Sequence, residues 1–176
     1  MFEIRWHGRG GQGSFTGAKL LGEAAAIFDK RYAQAFPSFG PERRGAPVLG
    51  FNRISDVPVT DRSELKACDV IVFLDDTLWS EAYLSDLKED AVVLMNTTSS
   101  VNDPRIKTID ATGMAIDIIK RPIGNTAMLG FLAALKPEIV SYKACEDAVA
   151  SSLKPSLAQM NIELLKAAFD YGKEYK

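Results

Sequence analysis

Residues 2–7, FEIRWH, alternate apolar and polar as a half-buried strand does. From Gly13 the apolar positions change to a helical period, at Phe15, Ala18, Leu20, Leu21, Ala24, Ala25 and Phe28. Between the two lies GRGGQG, so the chain opens as strand, glycine turn, helix. Two more strand-like runs follow, RYAQAFPSF and PVLGFNRIS, and the seven residues between them, GPERRGA, are too few and too rich in turn formers for a crossover helix. CDVIVFLDD (68–76) and AVVLMN (91–96) are continuous apolar runs, the mark of strands buried on both faces of a parallel sheet. TLWSEAYLSDL between them predicts a helix with Thr77 as its N-cap. RIKTID (105–110) predicts a weaker strand and ATGMAIDIIK a short helix. From Asn125 the pattern is helical: TAMLGFLAAL, SYKACEDAVASSL, and PSLAQMNIELLKAAFDYG, with Pro155 suited to a first turn. The expectation is a single domain over residues 1–176, a three-layer Rossmann-like α/β fold with a mostly parallel sheet and a helical C-terminal segment. Ligands of such sheets bind beyond the carboxyl ends of the strands.

Composition narrows the function. A chain 47% hydrophobic with 21 basic and 23 acidic residues has no dense basic run, so nucleic acid is not expected as a partner. Apolar runs stop short of the roughly 18 residues a membrane span needs, and MFEIRW lacks the layout of a signal peptide, so a cytoplasmic protein without membrane contact is expected. Cys68 and Cys145 form no CxxC pair, and with the sole histidine, His7, they make no standard metal spacing. Neither a metal site nor an iron–sulfur cluster is expected on this chain.

Gly8, Gly10 and Gly13 satisfy GxGxxG, in which small residues let the backbone approach a pyrophosphate and the free N–H groups of a helix start attract negative charge. A tight turn with close helix packing would account for the same glycines. Nicotinamide dinucleotides need in addition an acid at the end of the second strand, and YAQAFPSF has none; Asp29 and Glu42 lie on either side. In FPSFGPERRGAPV, prolines and glycines bracket Arg43 and Arg44 in a loop, which displays two guanidinium forks suited to phosphate oxygens. The plainer alternative is a solvated turn with Glu42 neutralising one arginine. Phe36 and Phe39 offer a stacking surface or core packing. Asn96 ends a buried strand and precedes Thr97, Thr98 and Ser99; Asn125 and Thr126 open a helix. Both asparagines are candidates for ligand contact, and capping explains each equally well. His7 has no acid or nucleophile partner and reads as structural, and no nucleophilic triad is recognisable.

HGRGGQGSFTGAKLLGEAA, FPSFGPERRGAPVLGFNRIS, CDVIVFLDDTL, VVLMNTT and IGNTAMLGFL occur in an order and at spacings that resemble the gamma subunit of 2-oxoacid:acceptor oxidoreductases, the pyruvate and 2-ketoisovalerate branches above all. The resemblance covers roughly residues 3–135. It implies an oxidoreductase complex that converts a 2-oxoacid, coenzyme A and an oxidised acceptor to acyl-CoA, carbon dioxide and reduced acceptor. It further implies thiamine diphosphate and [4Fe-4S] clusters on alpha, beta and ferredoxin-like delta partners, with ferredoxin or a similar protein as acceptor. For this chain it implies a non-catalytic role: Gly8, Arg9, Gly10, Gly11, Gln12 and Gly13 toward the pyrophosphate of coenzyme A, Arg43 or Arg44 toward a phosphate, Asn96 and Asn125 as polar contacts. A free-standing nicotinamide-dependent enzyme and a purely structural assembly subunit remain as alternatives.

Overall fold

The computed structural model describes residues 1–38, 45–63 and 65–175. Six strands, β1 (Phe2–Arg9), β2 (Tyr32–Pro37), β3 (Pro47–Ser55), β4 (Cys68–Phe73), β5 (Leu87–Asn96) and β6 (Ile106–Ile109), form one sheet in the order β2-β3-β1-β4-β5-β6. The pairs β1–β4, β4–β5 and β5–β6 are parallel, whereas β3 runs antiparallel to both of its neighbours. β2 and β3 are thus a hairpin, as the short turn-rich connection requires, and their intervening loop emerges at the same end of the sheet as the glycine turn.

Alternation divides the core. Ile4, Trp6, Ile54, Val70, Val72 and Leu94 point to one side, into a layer that all five α-helices share: α1 (Ser14–Glu23), α2 (Ala111–Ile119), α3 (Asn125–Leu135), α4 (Tyr142–Ser152) and α5 (Pro155–Glu174). Phe51, Ile71, Phe73, Val93 and Met95 point to the other side, where Leu78, Trp79, Tyr83 and Val101 cover them. The second layer is therefore thin and, among the described residues, contains no α-helix. The 77–87 segment, expected as one helix, is two 3-10 turns, Asp76–Leu78 and Glu81–Asp86. Two caps break it: the Asp75 carboxylate accepts from Thr77 N at 3.0 Å and the Ser80 hydroxyl from Ala82 N at 3.4 Å, each starting its own turn. Asp75, not Thr77, is the first cap. The break lays Trp79 and Tyr83 down on Phe73, with ring centroids 5.4 Å away in both cases.

The helical layer is built around α3, whose residues Asn125–Ala133 are all buried, as a helix apolar on every side should be. α5 lies across it with Gly130 against the backbone of Leu165. The C-terminal end of α5 also closes the sheet: Thr108 N donates to the Tyr175 hydroxyl at 2.9 Å and the Tyr171 hydroxyl donates to Thr108 O at 3.4 Å, occupying the outer edge of β6. Among α1 residues Ser14, Gly17, Ala18, Leu20, Leu21 and Gly22 are buried, but Phe15, expected on that face, is 37% exposed. Among the described residues no helix is long and apolar enough to cross a membrane.

Candidate functional site

β1 feeds α1, which returns toward β2 on one side, while its parallel neighbour β4 leads to β5 on the other. The carboxyl ends of β1 and β4 therefore flank the switch point of the sheet, where open α/β sheets hold their ligands. The glycine turn occupies one lip. Gly11 and Gly13 have φ of 100° and 80°, the left-handed region that side chains disfavour, and Gly13 is the N-cap of α1. Its N-cap is a glycine and among the described residues no side chain caps that helix start, which carries the positive end of the helix dipole. Gly13 O accepts from the Asn125 amide at 3.3 Å, which joins the start of α1 to the start of α3.

Arg9 and Gln12 do not project freely. Gln12 folds back so that its Oε1 accepts from Arg9 N at 2.7 Å and its Nε2 donates to Asp75 Oδ2 at 2.9 Å. The Arg9 guanidinium donates to the same Oδ2 at 3.1 Å, to Thr77 Oγ1 at 2.8 Å and to Gly45 O at 3.2 Å. Burial pulls the Asp75 carboxyl upward, but hydrogen bonds from Thr77 and Gln12, with the charge of Arg9, outweigh it and hold the group below its ordinary value. Sequence reasoning passed over Asp75, read only as the polar end of a strand; the signal was a pair of acids directly beyond a buried strand.

Arg43 and Arg44, with Phe39 and Glu42, lie outside the described residues. The flanks of their loop are described. Gly10 N donates to Ala46 O at 3.0 Å and Arg9 stands opposite Pro47 in the β1–β3 register, so the loop departs from the crevice lip itself. Phe36, at its other root, stacks on Phe51 with centroids 5.3 Å apart and lines a cleft of about 690 Å³ with Pro37, Leu49 and Arg62.

The asparagines are positioned by the fold. Asn96 is 9% exposed; its amide donates to Leu74 O at 2.9 Å and Thr112 Oγ1 at 2.8 Å, and its oxygen accepts from Thr112 N at 3.1 Å. Both N–H groups are spent tying β5 to β4 and to α2. Asn125, also buried, accepts from Thr126 N at 2.9 Å in addition to its bond to Gly13 O. Beside Asn96 lies a cavity of about 310 Å³ lined by Asp75, Asp76, Asp110, Thr97, Thr98, Thr112 and Gln12, an acidic and hydroxyl-bearing wall that repels phosphate. The uncapped helix start and the roots of the 39–44 loop lie on the other, β1–β3 side.

His7 faces the thin layer, 3% exposed, stacked on Phe73 at 4.4 Å and against Tyr83 at 4.8 Å. Burial lowers its pKa to about 3, the neighbouring Arg5 charge adding to the effect and Asp86 opposing it. Among the described residues its Nε2 has no partner. Both cysteine thiols are buried and pushed up, Cys68 to about 11, which leaves neither as a nucleophile. Among the described residues no three metal-binding side chains converge.

A mostly parallel sheet with a glycine turn and a helix start at its switch point defines a protein of Rossmann-like architecture. Residues 3–171 match the family model of pyruvate ferredoxin/flavodoxin oxidoreductases. The chain is 43% identical to pyruvate synthase subunit PorC of Methanothermobacter marburgensis, covering 98% of each, and 38% identical to the pyruvate/ketoisovalerate oxidoreductases common subunit gamma of Pyrococcus abyssi, covering 97% of this chain and 96% of the other. The crystal structure of pyruvate oxidoreductase subunit PORC from Thermotoga maritima superposes with a TM-score of 0.83 at 37% identity, over 96% of this chain and 95% of that one. At 17% identity the fold recurs, TM-score 0.77, within 31% of a chain of a 2-oxoglutarate:ferredoxin oxidoreductase from Magnetococcus marinus with 2-oxoglutarate, coenzyme A and succinyl-CoA bound. The chain belongs to the pyruvate ferredoxin/flavodoxin oxidoreductase family and is a gamma-type subunit of a multi-subunit oxidoreductase.

Proposed function

We propose that this chain is the coenzyme A-binding, non-catalytic subunit of a thiamine diphosphate and iron–sulfur dependent 2-oxoacid oxidoreductase, with pyruvate or a related 2-oxoacid as substrate. The other cofactors belong to alpha, beta and ferredoxin-like delta partners, which pass electrons to ferredoxin or a similar acceptor. The observation that carries the reading is the uncapped start of α1 behind Gly13, at the switch point and beside the roots of the loop that holds Arg43 and Arg44. Coenzyme A has a pyrophosphate for the helix start and a ribose 3′-phosphate for an arginine pair. Its presence in the oxoglutarate enzyme, whose chain contains this fold, agrees. The chain's chemistry is positional: it holds the thiol where an intermediate formed on the thiamine of its partners can meet it, converting an encounter between two molecules into a step within one complex.

The alternative nicotinamide reading is opposed by topology. In this sheet β3 separates β2 from β1, and β2 itself ends in Phe36 and Pro37, so the second strand neither lies beside β1 nor carries at its end a carboxylate to take a ribose hydroxyl. The test is acyl-CoA formation by the assembled complex carrying Arg43→Ala and Arg44→Ala. Each change should raise the KM for coenzyme A about tenfold, ~1.4 kcal/mol, and dephospho-coenzyme A should lose its disadvantage in the double variant. An unchanged KM in both single variants would remove the loop from the phosphate site.

A further inference from the structure

We infer that Asp75 is a positioning residue for coenzyme A, a role that rests on the reading just given and assigns the crevice its organising group. Every contact of this carboxylate is an acceptance. Oδ2 takes Arg9 Nε at 3.1 Å and Gln12 Nε2 at 2.9 Å; Oδ1 takes Thr77 N at 3.0 Å and Thr77 Oγ1 at 2.5 Å. Its side chain is 15% exposed, so these bonds are partly shielded from water. Through Gln12 the carboxylate fixes the glycine turn, because Gln12 in turn holds Arg9 N. Through Arg9 it fixes the root of the 39–44 loop, because the same guanidinium donates to Gly45 O at 3.2 Å. One residue at the end of β4 therefore ties the glycine turn to Gly45 at the approach to β3. The ligand would meet a glycine turn already held in place.

An amide cannot replace this group. Asparagine offers one acceptor and one donor, and either orientation turns an N–H against two other donors. Asp75→Asn in the assembled complex should raise the KM for coenzyme A about tenfold while leaving kcat at saturating coenzyme A and the KM for the 2-oxoacid unchanged. Since Asp75 acts in part through the Arg9 side chain and in part through Gln12, the effect should shrink in an Arg9→Met background to about threefold. Thr77→Val, which removes the hydroxyl's bond to Asp75 and its bond from Arg9 without touching charge, should show the same split at about threefold, and serves if the first variant does not assemble. A fall in kcat with an unchanged KM, or an undiminished effect in the Arg9→Met background, would overturn the inference. If the arginine-loop variants raise the KM and Asp75→Asn does not, the positioning role alone fails. If neither set moves it, the coenzyme A reading fails and this inference with it.

Discussion

Gly130→Ala should lower the melting temperature of the purified chain by about 10 °C, read by calorimetry or circular dichroism. A Cβ at Gly130 would run into the carbonyl oxygen of Leu165, and the obstacle is backbone, which cannot rotate away as a side-chain tip can. α5 must lift from α3 or unwind locally. Overpacking of this kind costs about 3 kcal/mol, and a chain of this length loses roughly 2–4 °C per kcal/mol. The change should also reach the crevice. α3 begins at Asn125, whose amide donates to Gly13 O, so displacement of α3 disturbs the helix start that the ligand would use. An unaltered melt would mean that the two helices have slack between them.

Lowering the pH should destabilise the chain in a window that belongs to one residue. His7 is the sole histidine, and its pKa is lowered from 6.5 to about 3 by burial, with help from Arg5. Between those values the unfolded chain binds a proton at His7 and the folded chain does not, so stability rises with pH and is lost as pH falls below about 6.5. From pH 6 to pH 5, above the range of ordinary carboxylates, the loss should be about 1 kcal/mol, growing toward 2–3 kcal/mol by pH 4.5. Urea titrations at stepped pH would measure it. His7→Phe, which keeps a flat ring between Phe73 and Tyr83, should flatten the slope over pH 5–6.5; an equal slope in the variant would assign the effect elsewhere.

The fold was legible where one physical constraint dominates a segment. CDVIVF and AVVLMN must be strands buried on both faces, and they are β4 and β5; the glycine turn must join a strand to a helix, and it does. The 77–87 segment was misread because its apolar spacing suits a helix equally well, while the competition from Asp75 and Ser80 caps is visible only when their partners are seen. The same holds for the layers: periodicity shows that a helix buries a face but not which side of the sheet it chooses, and here all five chose one. At the site, glycines announce themselves by composition. Asn96 and Asn125 looked available because a sequence shows donors without showing what they already hold, and Asp75 was overlooked because an acid beside a phosphate site is unexpected until its arginine and glutamine are found.

The tyrosines that α5 lays against β6 make the sheet one-ended. With both polar groups of Thr108 taken by Tyr175 and Tyr171, a strand offered by a neighbouring subunit finds no unpaired ladder there. The opposite margin of the sheet is β2. A strand added at that margin would run alongside Phe36 and Pro37, over the cleft that they line with Leu49 and Arg62.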